Sequence, residues 1–277
     1  MKKLLLLLAT VIGFGSQAMA QTIKIAYPNW AEGVAITHLV EAILEDRMGY
    51  DVELTMADPG AIYAAVAQGQ QDAFLDGWLP NTHEPYWEEY GDDLVDLGPF
   101  YGYGVTGLVV PTYMDVNSID ELNDIADELD GEIIGIGTGA GIYRNTNKAI
   151  EEYGLDLKQV ASSGPAMTAA LADAVRNHEP IVVTGWKPHW MFGRYDLKVL
   201  DDPRGVYPID GLKKIVRKGF REDYPDAAQF ITNFNMTEAS LLDLMLAIDD
   251  AGNDDPSEVV RDWMTRNEPL IDSWMPR

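Results

Sequence analysis

The chain has 277 residues, of which 47% are hydrophobic, and it contains no cysteine. This composition supports a folded core and excludes disulfide bonds and thiolate metal sites. The net charge of −25 argues against nucleic acid and anionic lipid surfaces as partners, because both bind basic patches.

The first 20 residues have the pattern of a secretory signal. Lys2 and Lys3 precede an apolar stretch at residues 4–12, and Ala18-Met19-Ala20 forms a small-x-small cleavage site. The apolar stretch is too short to span a bilayer. We therefore expect cleavage after Ala20, a periplasmic location and no direct insertion into the membrane. The remaining chain, residues 21–277, holds 18 basic and 45 acidic residues, a net charge of −27.

Strand and helix patterns alternate along the mature chain, which predicts an α/β protein of two lobes, each with a mostly parallel sheet flanked by helices. Predicted strands cover residues 22–27, 52–56, 73–75, 107–111, 132–136, 180–184 and 213–217. Predicted helices cover residues 34–47, 62–67, 118–129, 142–153, 167–177, 225–232, 237–249 and 256–274. Two crossings, near Val110-Pro111 and Tyr207-Pro208, would divide the chain. Lobe 1 would then be residues 21–110 with 209–277, and lobe 2 residues 111–208.

Two short segments of the chain look like copies of each other. Each carries Gly-Trp-x-Pro after an apolar strand, with Trp78 in the first segment and Trp186 in the second. Open α/β sheets bind ligands at the carboxyl ends of their strands, and facing indoles attract a desolvated cation. We predict that both tryptophans line one cleft and contact a quaternary ammonium group. Trp30, at the end of the first βα loop, is a further candidate.

The opposite end of such a ligand needs hydrogen-bond donors if it carries a carboxylate. Helix N-termini offer free backbone N–H groups and a partial positive charge. Gly33 and Val34 open the first predicted helix, and Gly139 lies near the start of another. His83 and His189 follow the two Gly-Trp motifs, so both are candidate donors to the carboxylate.

The sequence carries no recognised catalytic pattern. It has neither H-E-x-x-H nor G-x-S-x-G, and its glycine run at residues 135–141 does not match G-x-G-x-x-G. Carboxylate pairs are plentiful, but none stands out in the predicted cleft. We therefore expect no catalytic residue, no metal site and no cofactor.

Four motifs spread over the mature chain are similar to those of one family. They are Asp76-Gly-Trp-Leu-Pro-Asn-Thr-His83, Gly107-Leu-Val-Val-Pro-Thr-Tyr-Met114, Thr184-Gly-Trp-Lys-Pro-His-Trp-Met-Phe192 and Val216-Arg-Lys-Gly219. They resemble the periplasmic substrate-binding proteins of glycine betaine ABC importers. The resemblance implies a two-lobed clamp in which Trp78 and Trp186 are walls of an aromatic box around a trimethylammonium. It also implies that Gly33 and Val34 donate to the carboxylate and that the partner is a membrane permease. We expect a monomer.

The chain departs from this family at one position. Relatives often have an aromatic residue near positions 233–237 as a third wall, and Met236 stands there instead. Methionine lacks a ring quadrupole, so Trp30 and Phe234 are alternative walls. Glycine betaine is the expected ligand, with proline betaine and dimethylsulfoniopropionate as alternatives. A secreted enzyme acting on a quaternary amine is the alternative from another class; it would need a metal, a cofactor or a nucleophile.

Overall fold

The structure is a computed structural model and describes residues 21–252 and 255–277. The predicted signal segment, residues 1–20, and its cleavage site lie outside the described residues. Within the part described, no helix is both long enough and apolar enough to cross a membrane.

One continuous sheet runs through the molecule, in the order β2-β1-β3-β9-β4-β7-β5-β6, with β8 beside β4. Its strands are β1 (Thr22–Tyr27), β2 (Asp51–Met56), β3 (Ala73–Leu79), β4 (Leu94–Pro111), β5 (Glu132–Ile134), β6 (Lys158–Val160), β7 (Val183–Lys187), β8 (Leu197–Val199) and β9 (Ile209–Arg217).

Helices cover the sheet on both sides. They are α1 (Ala31–Met48), α2 (Pro59–Ala67), α3 (Glu84–Tyr90), α4 (Gly141–Tyr153), α5 (Gly164–Asn177), α6 (Met191–Arg194), α7 (Phe220–Asp223), α8 (Pro225–Asn233), α9 (Glu238–Ala251), α10 (Pro256–Arg266) and α11 (Glu268–Trp274). Two short 3₁₀ helices cover Gly91–Asp93 and Ile119–Ile125. The predicted helix at residues 118–129 is the second of these, and it begins with the capping box of Ser118 and Glu121.

The direction of strand pairing changes at the middle of the sheet. The pairs β1–β2, β1–β3, β5–β6 and β5–β7 are parallel, whereas β4 and β9 are antiparallel to their neighbours. The long strand β4 pairs with β9 from Leu94 to Val105 and with β7 from Val105 to Val109. It therefore passes from one group of strands to the other at Val105. The lobe boundaries after residues 110 and 208 stay predictions. Below, lobe 1 denotes β1–β3 with α1–α3 and α7–α11, and lobe 2 denotes β5–β8 with α4–α6.

Helix α1 begins earlier than its apolar pattern predicts. Trp30 is its extended N-cap residue, with φ −113° and ψ 151°, and the N–H of Val34 donates to the Trp30 carbonyl oxygen at 2.9 Å. Gly33 and Val34 therefore lie inside the first turn. Helix α1 is buried on nearly all sides, and its apolar residues belong to the largest core cluster, which extends from Ile23 on β1 to Trp78 and Trp186.

Candidate functional site

A small cavity lies where β3, β7 and the starts of α1 and α4 meet. Its volume is about 260 Å³, including the space at its mouth. Both Gly-Trp motifs reach it, since Trp78 lies near the end of β3 and Trp186 near the end of β7. The lining residues come mainly from the two lobes and are Trp30, Glu32, Trp78, Thr82, His83, Thr106, Ile136, Ala140, Gly141, Ile142 and Trp186.

Three indoles form the aromatic part of the lining, beside the aliphatic side chains of Ile136, Ala140 and Ile142. The ring centroids of Trp30 and Trp186 are 6.4 Å apart, and their planes meet at 58°. Trp78 and Trp186 are each only 3% exposed. Indole faces that surround one small, water-poor space can attract a cation strongly, because the attraction grows when the charge is desolvated.

The third indole wall is Trp30, and neither Met236 nor Phe234 lines the cavity. The N–H of Met236 donates to the Phe100 carbonyl oxygen at 2.9 Å. The side chains of Met236 and Phe234 both pack in the large core cluster. Phe234 lies edge-on to Trp274 with ring centroids 4.8 Å apart. Trp30, at the start of α1, therefore supplies the third ring in place of an aromatic residue at position 236.

His83 offers a hydrogen-bond donor to the cavity. Its ring is fully buried, and its Nδ1 accepts the backbone N–H of Trp78 at 3.1 Å. Because Nδ1 is an acceptor, the ring proton of the neutral imidazole lies on Nε2. Burial, aided by the charge of Arg144, lowers the pKa of His83 to about 3, so the ring stays neutral. Among the described residues Nε2 has no partner.

The start of α4 lies beside His83. Gly141 and Ile142 occupy its first turn and line the cavity. The first N–H groups of a helix have no partner within the helix and carry part of its positive dipole. The cavity is therefore lined both by indoles and by N–H donors.

The structure does not bring Gly33 and Val34 to the cavity as donors. The N–H of Val34 is used by Trp30, and neither residue is part of the lining. A Cβ on Gly33 would lie 2.9 Å from Oδ2 of Asp76, so the space beside this residue is occupied by the protein's own carboxyl group. The role of Gly33 and Val34 as carboxylate donors stays a prediction that this arrangement does not favour, since the helix start that lines the cavity is that of α4.

Gly139 and His189 lie next to the site without lining it. The carbonyl oxygen of Gly139 accepts the Tyr86 hydroxyl at 2.8 Å. His189 uses Nδ1 to accept the N–H of Met191, and its ring packs edge-on to Trp186 at a centroid distance of 4.8 Å. His189 therefore supports an indole wall from behind.

Two buried carboxyl groups stand beside the indoles, which the sequence reasoning missed. Glu32 and Asp76 are both fully buried, and Oε2 of Glu32 accepts the indole N–H of Trp186 at 2.7 Å. Within the described residues, Oε1 of Glu32 and both oxygens of Asp76 have no hydrogen-bond partner, and neither group has an ion pair. A signal was present in the sequence, because Asp76 interrupts an otherwise apolar strand, and the structure buries this strand along its whole length.

Burial decides the protonation of this pair. It raises the pKa of Glu32 to about 7, against a weaker opposing effect of the hydrogen bond from Trp186. Burial also raises the pKa of Asp76, and the nearby Glu32 carboxyl raises it further. Glu32 has the better donor, so the first proton to leave the pair leaves from Glu32.

Several contacts join the lobes across the cavity. The guanidinium of Arg144 on α4 donates to the Thr82 carbonyl oxygen at 3.0 Å, and the Tyr86 hydroxyl reaches Gly139. Gly141 packs so closely on Thr82 that a Cβ there would lie 2.9 Å from the Thr82 carbonyl carbon. The cleft is therefore closed in this structure.

The sequence matches one family of known proteins. The family described as the substrate binding domain of ABC-type glycine betaine transport systems matches residues 21–266. The chain belongs to this family. The resemblance stated from the motifs is thereby confirmed, and the members of this family are extracytoplasmic transport components.

Individual relatives of this substrate-binding domain agree with the assignment. The glycine betaine/carnitine transport binding protein GbuC of Listeria monocytogenes is 41% identical over 159 residues, which is 56% of this chain and 52% of that protein. The lactococcal protein OpuAC, in a closed form complexed with glycine betaine, has a TM-score of 0.85 and 37% identity over 92% of this chain and 100% of its own.

A third relative is the glycine betaine, L-proline binding protein ProX from Borrelia burgdorferi. It has a TM-score of 0.88 and 32% identity over 93% of this chain and 97% of its own. These matches confirm the predicted two-lobed α/β clamp. The central strands differ from the expectation of mostly parallel sheets, since β4 and β9 run antiparallel to their neighbours.

Proposed function

We propose that this protein binds a small betaine-type zwitterion, glycine betaine foremost, and delivers it to the membrane permease of an ABC importer. One observation carries this proposal. A single closed cavity is lined by three indoles, those of Trp30, Trp78 and Trp186. The same cavity is lined by His83, whose Nε2–H has no partner among the described residues, and by the first turn of α4.

Each end of such a zwitterion finds a matching partner. A trimethylammonium cannot donate hydrogen bonds, so it is bound by indole faces through cation–π attraction and apolar contact. A carboxylate needs donors, and N–H groups at a helix start with a neutral histidine supply them without requiring a counter-charge. The presence of both kinds of group in one cavity favours a ligand with both ends over a simple cation.

The relatives support the ligand class. Glycine betaine occurs in the names of the Listeria and Borrelia proteins and in the description of the lactococcal complex. Since the Listeria match covers 52% of that protein, import and the permease partner belong to the proposal for this chain. So do a monomeric receptor, a periplasmic location after removal of residues 1–20, and release of the ligand without chemical change.

Calorimetric titration against glycine betaine, proline betaine, choline, carnitine and dimethylsulfoniopropionate tests this function. We expect glycine betaine to bind at least about tenfold more tightly than choline, because a charged hydrogen bond contributes about 1.5–3 kcal/mol. Mass analysis of the released ligand should return it unchanged. Equal affinity for choline would show that the donor end is misassigned, and conversion of the ligand would favour the enzyme hypothesis.

A further inference from the structure

Glu32 is an unusual residue to find in a cation-binding cleft that closes. It lies in the first turn of α1 in lobe 1 and accepts the indole N–H of Trp186 from lobe 2. This hydrogen bond therefore exists only when the lobes are together. The same carboxyl group lines the cavity and is fully buried in this closed form.

Among the residues that the structure describes, no basic side chain forms an ion pair with Glu32. The titratable groups facing it are Asp76 on β3 and the neutral His83 after β3, and Tyr63 on α2 lies behind Asp76. Arg144, on the facing helix α4, donates to a backbone carbonyl oxygen and makes no ion pair with Glu32. A buried carboxylate without a counter-charge is costly.

We propose that Glu32 makes closure of the cleft depend on a positively charged ligand head: its carboxylate opposes closure around an empty cavity and is neutralised when a cation enters between the indoles. This inference rests on the proposed function, and it adds a residue that reads the charge of the ligand head. The indoles attract the head through cation–π interaction and apolar contact, whereas Glu32 adds the full opposite charge of a carboxylate.

Proton binding should imitate the cation. The pKa of Glu32 is raised by burial to about 7 in the closed form, against an ordinary value of 4.5 for a solvated glutamate. Because the closed form holds the proton more tightly, acidification favours closure of the empty protein. Each unit of pKa difference corresponds to about a tenfold change in the ratio of closed to open protein.

Head charge can be tested by comparing two ligands of the same shape. Glycine betaine and 3,3-dimethylbutyrate share a carboxylate and a bulky head, but only the first head is charged. At pH 8 the ratio of their dissociation constants should favour glycine betaine in the parent protein. In Glu32→Gln we expect this preference to fall at least tenfold, while Glu53→Gln, an exposed carboxylate on β2, keeps it.

The outcomes separate the two proposals. An unchanged preference in Glu32→Gln, or an equal change in Glu53→Gln, overturns the role of Glu32 while leaving the betaine receptor intact. Failure of the parent to bind glycine betaine overturns both.

Closure itself is measured by solution scattering of the empty parent protein, which does not depend on any variant folding. We expect its radius of gyration to be smaller at pH 5.5 than at pH 8. Empty Glu32→Gln should have the smaller radius at both values. A radius of the empty parent that does not change with pH overturns the proposal.

Discussion

Replacing Gly141 by alanine should prevent the lobes from closing. Gly141 opens α4 in lobe 2 and faces Thr82 in lobe 1. An added Cβ would overlap the Thr82 carbonyl oxygen and Cγ2, and it would lie 2.9 Å from the carbonyl carbon. Because two of these atoms belong to the backbone, no side-chain rotation relieves the overlap. Alanine is a good helix residue, so α4 itself should remain intact.

The size of the effect follows from where the overlap occurs. Inserting a methyl group into a packed contact costs about 1–3 kcal/mol, and a backbone neighbour places this case at the upper end. The contact exists only between the lobes, so the cost falls on the closed form alone. If the ligand binds the closed form, its apparent affinity should fall roughly 30- to 150-fold.

Gly137→Ala is the matched control for this prediction. It lies in the same glycine run, and its added Cβ would meet only the Ser162 carbonyl oxygen at 3.9 Å. Calorimetric titration with glycine betaine should show weak binding for Gly141→Ala and parent-like binding for Gly137→Ala. In solution scattering, Gly141→Ala should keep the larger radius of gyration of the open form at ligand concentrations that close the parent. Parent-like affinity in a folded Gly141→Ala protein would refute the idea that this closed arrangement is the ligand-binding form.

Three further predictions concern single side chains. Trp30→Ala should weaken glycine betaine binding by about 2 kcal/mol in calorimetry, whereas Trp87→Ala, outside the cavity lining, should match the parent; equal affinities would remove Trp30 from the box. His83→Ala should lower glycine betaine affinity roughly tenfold and choline affinity much less; an equal loss for both ligands would contradict donation to the carboxylate. Burial lowers the pKa of His189 to about 3, below its ordinary 6.5, so its neutral form stabilises the fold above pH 6.5 and this stability is lost as pH falls. In denaturant titration, the parent should lose about 1 kcal/mol more unfolding free energy than His189→Gln between pH 6.5 and 5.5. Identical pH profiles of the two proteins would contradict this.

The indole part of the site could be predicted from the sequence because it depends on residues that are adjacent in the chain. An apolar strand followed by Gly-Trp fixes the tryptophan at a strand end, and strand ends of an α/β sheet lie on one edge. Trp78 and Trp186 follow this rule, and the structure brings both to one cavity. Whether they contact a ligand stays a prediction.

The hydrogen-bond donors that line the cavity could not be predicted in the same way. Several helices start near the cleft, and only the docking of the lobes decides which start faces the indoles. Gly141 reaches the cavity because it packs on Thr82, far away in the sequence. Gly33 seemed equivalent in the sequence, but its first turn lies against Asp76.

The carboxyl pair was missed for a related reason. In a chain with 45 acidic residues, two particular acids among them carry little signal by themselves. Glu32 and Asp76 become distinctive only through burial without a basic partner, which is a property of three-dimensional packing. In similar sequences, an acid inside an apolar strand such as β3 is the pattern that indicates a buried carboxyl group of this kind.

The passage of β4 between the lobes has a consequence for how the molecule can be divided. This strand has 18 residues and gives its first part to the ladder with β9 and its last part to the ladders with β7 and β8. Because β4 belongs to the strand ladders of both lobes, neither lobe has a complete sheet of its own. Neither lobe should therefore be stable when expressed alone. We expect a single cooperative melting transition for the whole chain, and a reporter domain for a ligand sensor should be inserted in a surface loop rather than between the lobes.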